Sequence, residues 1–511
     1  MLKNYLILVC AFAAICACAQ KMPNPARFAK IINPASLEKK LSVVAGADME
    51  GRNTPSAGLD RAANYIESQF KSFGLQPGNN GSYRLYFDLE KDSITSLALN
   101  MDGTGFTPWT DFAPVNPIPA NANLNFSEYI FVGYGIVDEN RDDYKNTDVK
   151  GKLVIFFAGA PEGFTSTKTR RESPVFIGNK IANAKRKGAA AALIIVDSLP
   201  SQRAFNNMYR PKPDTVRAHA NDIIPVFMIN DNIVSQSGQS ISELKASIGK
   251  DVIDPIEKQI EINMECISVK AIKKVSNVIG IVEGSDKKDE YLLVTGHYDH
   301  LGMNDKGQIF YGADDDGSGT VSVMAMAEAF ASAKKAGKGP RRNVVFMTVC
   351  GEEKGLWGSA YYSEHPVFPL SKTTADLNID MDGRIDTERQ TGDTLNYVYV
   401  IGHDKLSTDL QQINEEMNNK YTKLTLDYRF DDPKDPNRIY YRSDHYNFAK
   451  KGVPILFFYD GMLKADYHKI TDTIDKINFS LMAKRAQMVF YTAWNIANRA
   501  DMLKRDLKLN Q

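Results

Sequence analysis

The sequence predicts an α/β fold: a mostly parallel mixed sheet with helices on both faces, interrupted by a β-rich insert. Three observations carry this. Continuous apolar runs, such as Y-L-L-V-T at 291–295 and N-V-V-F-M-T-V at 343–349, read as strands buried on both sides. From residue 266 onward such runs alternate with helical patterns, as a sheet covered on both faces requires. Several of them end on a polar cluster, and in open α/β sheets sites form beyond the carboxyl ends of strands.

At 511 residues the chain is long enough for two or three domains. Lysine plus arginine and aspartate plus glutamate number 62 each, which argues against nucleic acid as a partner. Residues 1–19 read as a signal peptide: Lys3 precedes an apolar run at 5–19 that is too short to span a bilayer. Ala17-Cys18-Ala19 fits a cleavage site, whereas I-C-A-C at 15–18 resembles a lipoprotein box that would anchor the chain by lipid at Cys18. Both imply export, to the periplasm, the outer membrane or the medium. Of five cysteines only Cys266 and Cys350 lie outside this segment, so no disulfide framework is expected.

Residues 33–122 form a first part. Pro34-Ala35-Ser36-Leu37 reads as a helix start, and Ala62, Tyr65, Ile66 and Phe70 mark a second helix closing at Gly74. Proline and asparagine thicken over 107–125 and mark a boundary. The β-rich insert follows at 123–264, with strands expected at 129–134, 153–158, 189–196 and 225–229. The part at 266–505 carries the chemistry. Its strands are expected at 278–282, 291–295, 343–349, 377–379, 398–401 and 454–459, with helices at 321–333 and 481–496.

Five residues converge on strand ends: His297, Asp315, Glu353, Asp380 and His468. Crowded carboxylates and imidazoles suit a divalent cation, which removes their repulsion. In H-x-D, Asp299 is placed to hold the far nitrogen of His297. In Glu352-Glu353, one carboxylate can bind metal while its neighbour takes a proton from water.

The motifs H-Y-D-H, G-A-D-D-D-G-S-G-T, G-E-E-K-G-L-W-G-S, N-I-D-M-D-G-R, R-S-D-H-Y-N-F and Y-H-K-I-T-D-T resemble, in this order, those of the di-zinc aminopeptidase family that includes glutamate carboxypeptidase and the transferrin receptor. The resemblance implies a zinc-peptidase fold of the phosphorylase/hydrolase-like type, two Zn2+ per chain and peptide substrates. It implies that Asp315 bridges the ions, that one also takes His297 and Asp380, that the other takes Glu353 and His468, and that Glu352 is the general base. Asp315-Asp316 corresponds to a pair joined by a cis peptide, with Asp316 supporting the bridge. The insert is similar to a protease-associated domain. Tyr440, Tyr441 and Arg442 are the candidates for substrate contact, and the polar stretch 427–442 reads as an exposed loop. The expected activity is release of N-terminal residues. A carboxypeptidase or dipeptidase on acidic peptides would need an arginine cluster, for which Arg384, Arg438 and Arg442 are available. A non-catalytic receptor would have lost ligands.

Overall fold

The computed structural model describes residues 24–118, 121–166, 168, 172–212, 223–248, 255–432 and 434–509. The expected signal peptide and Cys18 lie outside the described residues. Among these, no helix is long and apolar enough to cross a membrane. The chain divides into two units, one built from the segments before Phe87 and after Lys274, the other being Phe87–Lys274.

In the first unit four parallel strands lie side by side in the order Arg342–Val349, Lys287–His297, Thr373–Ile379 and Ile455–Tyr459. Antiparallel neighbours flank them: residues 278–282 of the strand Ile256–Val282 on one side, Tyr397–Ile401 on the other. Every residue of Arg342–Val349 and Thr373–Ile379 is buried, as two covered faces require. On one face Gly319–Lys335 and Phe479–Asn498 pack through Phe330, whose ring centroid lies 5.7 Å from Phe346, 5.0 Å from Phe490 and 5.4 Å from Trp494. On the other, Trp357–Glu364 and His445–Ala449 meet through Tyr362 and Phe448, over Leu293, Val345 and Met347.

Two helices from the start of the chain complete this unit. Pro34–Val44 is capped by Asn33, whose side chain accepts from Ser36 N at 3.0 Å, with proline in the first turn. Ala57–Phe73 is capped by Ser56 and closes on Gly74 at φ 86°, a conformation that favours glycine.

The second unit is wider than the 123–264 block and is itself built on parallel strands. Ala122–Phe131, Leu153–Phe157, Ala191–Ile195 and Val226–Ile229 lie in that order. The proline-rich stretch taken for a boundary contains the strand Phe112–Pro114, which pairs with Val226–Ile229 and so belongs inside the unit. Alternate residues feed two cores: Phe131, Ile155, Leu193 and Phe227 on one side, Ile130, Val154, Ala192 and Val226 on the other.

Candidate metal centre

His297 is the last residue of its strand, and its amide donates to Asp316 Oδ2 at 3.1 Å. Its Nδ1 lies 3.1 Å from the backbone carbonyl of Asp299. A carbonyl can only accept, so Nδ1 carries the proton and the Nε2 lone pair faces the site. Nε2 stands 3.3 Å from Asp315 Oδ1 and 3.6 Å from Asp380 Oδ1. Asp299 therefore holds the ring through its main chain. Its carboxylate, 3.7 Å from Nδ1 at the nearer oxygen, accepts instead from Thr54 Oγ1 at 3.0 Å and from Glu352 N at 3.2 Å. The expected Asp299–His297 contact is thus made by the main chain, and the side chain also positions Glu352.

The second oxygen of Asp315 faces the other way. Oδ2 is 3.1 Å from His468 Nε2, and that nitrogen is 3.0 Å from Glu353 Oε2. A tetrahedral ion with bonds of about 2.0–2.2 Å spaces its ligand atoms by roughly 3.3–3.6 Å. The first set has that spacing and the second, at 3.0–3.1 Å, is somewhat tighter, one on each oxygen of Asp315. The nitrogens His297 Nε2 and His468 Nε2 and the oxygen Asp315 Oδ2 are buried without a hydrogen-bond partner, a state that a bound cation relieves. The donor set thus fits two zinc ions.

Asp316 is no rival for the bridge. Its carboxylate accepts from the amides of His297, Gly319 at 2.9 Å and Met381 at 3.0 Å, which commits both oxygens. The Asp315–Asp316 peptide is cis. Gly319 must be glycine because a Cβ there would run into the Asp316 carboxylate and the Ile379 carbonyl.

Three supporting residues went unread in the sequence. Asp472, in the T-D-T motif, accepts from the amides of Asp314 and Asp315 at 3.1 Å and fixes the bridging turn. His300, fully buried, places Nδ1 2.8 Å from Glu353 Oε1; its signal was the second histidine of H-Y-D-H. Arg52 is buried with its guanidinium donating to the carbonyls of Tyr298, Val44, Tyr311 and Gly312 at 2.8–2.9 Å. It ties down the chain between His297 and Asp315 and sets a positive charge behind the carboxylates.

Electrostatics follow from burial and crowding. Burial alone would raise the Asp315 carboxyl, but His297 and His468 outweigh it and hold it well below the usual range. Burial draws His468 down, yet Asp315 and Glu353 hold it up at about 10, so the carboxylates favour positive charge where that ring stands. Glu352 is pushed well above the carboxylate range by burial, against His297 and with help from Asp380 and Glu353. Its Oε2 is 3.9 Å from His297 Nε2.

Beside the centre is a pocket walled by Met381, Ile439, Phe457 and Leu463, with Arg442, Tyr459 and Tyr467 also lining it. Arg442 is placed as expected and donates to the Tyr467 hydroxyl at 3.0 Å. Tyr440 and Tyr441 do not line this pocket. The short 3-10 turn Ile439–Tyr441 presents Ile439 to the centre and sends both tyrosines to a separate hollow beside Asp431 and Lys405. Of the aromatic residues lining the pocket, Tyr467 stacks its ring on His468 at 3.8 Å; adjacency to a candidate ligand was its only signal. Nor is 427–442 simply exposed. Phe430, Asp431, Ile439 and Tyr440 are buried, and Asp431 accepts from Gly402 N, His403 and Lys405. Those donors satisfy the Asp431 carboxylate in a third cluster with His403 and Asp404.

The fold and the donor set together define a chain whose clustered carboxylates and imidazoles, at the carboxyl end of an open α/β sheet, could hold two cations. The resemblance read from the motifs is borne out: residues 277–493 match the model of peptidase family M28. A probable leucine aminopeptidase of Arthroderma benhamiae is 30% identical over 217 residues, 41% of this chain and 55% of that protein. A probable glutamate carboxypeptidase of Arabidopsis thaliana is 32% identical over 120 residues, 23% of this chain and 16% of that one. The chain spans about half the length of the fungal relatives it matches. In fold it is similar to an aminopeptidase from Aneurinibacillus sp. strain AM-1, at TM-score 0.55 and 17% identity, covering 95% of this chain and 100% of that one. It is also similar to a zinc aminopeptidase from Bacillus subtilis, at TM-score 0.51 and 19% identity, covering 93% and 99%.

Proposed function

We propose that the chain is an exported zinc metallopeptidase that releases residues from the amino ends of peptides. The observation that carries this reading is Asp315, with His297 and Asp380 near one oxygen and His468 near the other, and Glu353 beside His468. In it His297, Asp315 and Asp380 hold one ion, and Asp315, Glu353 and His468 the other. When bound, the ions would polarise the scissile carbonyl and acidify the attacking water.

The chain's own residues do the rest. Glu352, held through its amide by Asp299, takes a proton from the water and passes it to the leaving amine. Its burial raises its proton affinity, which suits that relay. Arg442 fixes the Tyr467 hydroxyl in the wall of the pocket, from where it would act on the substrate. Among the described residues, Asp315, Glu352 and Asp380 line the pocket with one cationic side chain, Arg442, surroundings that suit a free α-ammonium better than a carboxylate terminus. The fungal relatives named as probable leucine aminopeptidases support the amino-end reading. Export is supported by the apolar run at 5–19, with Cys18 as the lipid site if the lipoprotein form holds. The second unit we assign as a protease-associated domain, on its motifs.

The test joins chelation with one substitution. Zinc removal should abolish hydrolysis of aminoacyl substrates and zinc addition restore it. Glu352→Gln should retain two zinc ions by metal analysis while kcat falls at least about 100-fold. Near-normal turnover by that variant, or cleavage of N-blocked peptides alone, would overturn the reading.

A further inference from the structure

Given the peptidase reading above, the residues lining the pocket bear on which residue is removed. Tyr459 ends the strand Ile455–Tyr459, lines the pocket and is 3% exposed, yet its hydroxyl has no hydrogen-bond partner. Buried phenols are ordinarily paired, because an unmade hydrogen bond in the interior is costly. Arg442 lines the same pocket. One of its nitrogens donates to Tyr467, and among the described residues its guanidinium forms no ion pair. Burial raises the Tyr459 phenol well above its usual range, with Asp460 and Asp380 adding to this and Arg442 opposing, so it stays a donor. The remaining wall, Met381, Ile439, Phe457 and Leu463, is apolar.

We infer that the pocket is built for an N-terminal residue with an apolar stem ending in a carboxyl or carboxamide oxygen, of the glutamate or glutamine type. The stem lies on Met381, Ile439 and Leu463. The terminal oxygen accepts from Tyr459 and faces Arg442. A purely apolar side chain of equal length would leave the phenol unpaired, and a site of that kind discriminates strongly against the analogue lacking the oxygen. A lysine or arginine would meet Arg442 and be repelled.

The experiment measures kcat/KM of the zinc-loaded full chain on the p-nitroanilides of glutamate, glutamine, norleucine and lysine. Calorimetric binding of free glutamate, glutamine and norleucine accompanies it. Glutamate or glutamine should exceed norleucine at least about tenfold in both measurements. Tyr459→Phe should bring that ratio close to one. A preference for glutamate over glutamine that vanishes in Arg442→Gln assigns the carboxylate to the arginine; equal rates assign recognition to Tyr459 alone. Norleucine equal to or better than both, or a ratio that Tyr459→Phe leaves intact, overturns the inference. Absence of zinc-dependent turnover on every substrate would instead overturn the peptidase reading, while the binding ratios still decide the pocket.

Discussion

At the scale of single residues, the centre depends on a side chain that touches none of the proposed ions. Arg52 gives its guanidinium hydrogens to four backbone carbonyls, three of them in the segment joining His297 to Asp315. Burial lowers its proton affinity, while Asp472, Asp299, Asp316 and Asp315 oppose that loss. Replacing it with methionine would leave those carbonyls unpaired and the carboxylates without their counter-charge. Arg52→Met should cost at least about 3 kcal/mol in chemical denaturation. It should also weaken zinc in a chelator competition, and a variant with wild-type zinc affinity would show the arginine to be only a structural tie. Lysine is a poor substitute, because an ammonium cannot span the fork's positions.

At the scale of elements, what could be read from the sequence was what repeats. Buried strands gave unbroken apolar runs, and their ends carried the polar clusters, so His297, Asp315, Glu352, Glu353, Asp380 and His468 could be picked out together. Turn geometry was not legible in this way. Whether Ile439 or Tyr440 faces the pocket depends on one residue of rotation in a three-residue turn, and nothing in the local pattern marks it. For a similar reason the sequence did not show that the main chain of Asp299 lies closer to His297 Nδ1 than its carboxylate does. The second unit offers a test of its own. In the helix Ile177–Arg186, Lys180 is fully buried; its Nζ donates to the carbonyls of Phe157, at 3.0 Å, and Gly159. Burial lowers it from 10.5 to about 8. Between these values the unfolded chain holds a proton that the folded one lacks, so stability rises with pH across that window. Urea titrations should show wild type gaining up to roughly 3 kcal/mol on Lys180→Met from pH 8 to pH 10.5. A constant difference would mean that the amine titrates as in an exposed lysine.

At the scale of the whole molecule, the first unit is discontinuous in sequence. Its early segment supplies Arg52 and Thr54, and its late segment supplies every proposed ligand. The family match, which begins at residue 277, covers only the late segment. The late segment alone, from Val275 onward, should therefore carry all the donors yet bind zinc weakly. Adding residues 24–86 as a separate peptide should restore affinity in the same chelator competition. Full affinity of the late segment by itself would refute this.

The division also sets an order of events. A ribosome releasing about 5–20 residues per second needs roughly 10–40 s to pass from Tyr86 to Val275. Throughout that interval Arg52 has none of its three carbonyl partners from the later segment, and the newborn helices Pro34–Val44 and Ala57–Phe73 have no sheet to lie on. Phe87–Lys274, by contrast, is contiguous and does not wait for the late segment. The donor set is thus brought together only once the segment up to His468 has been made, and until then the growing polypeptide carries no finished two-cation centre.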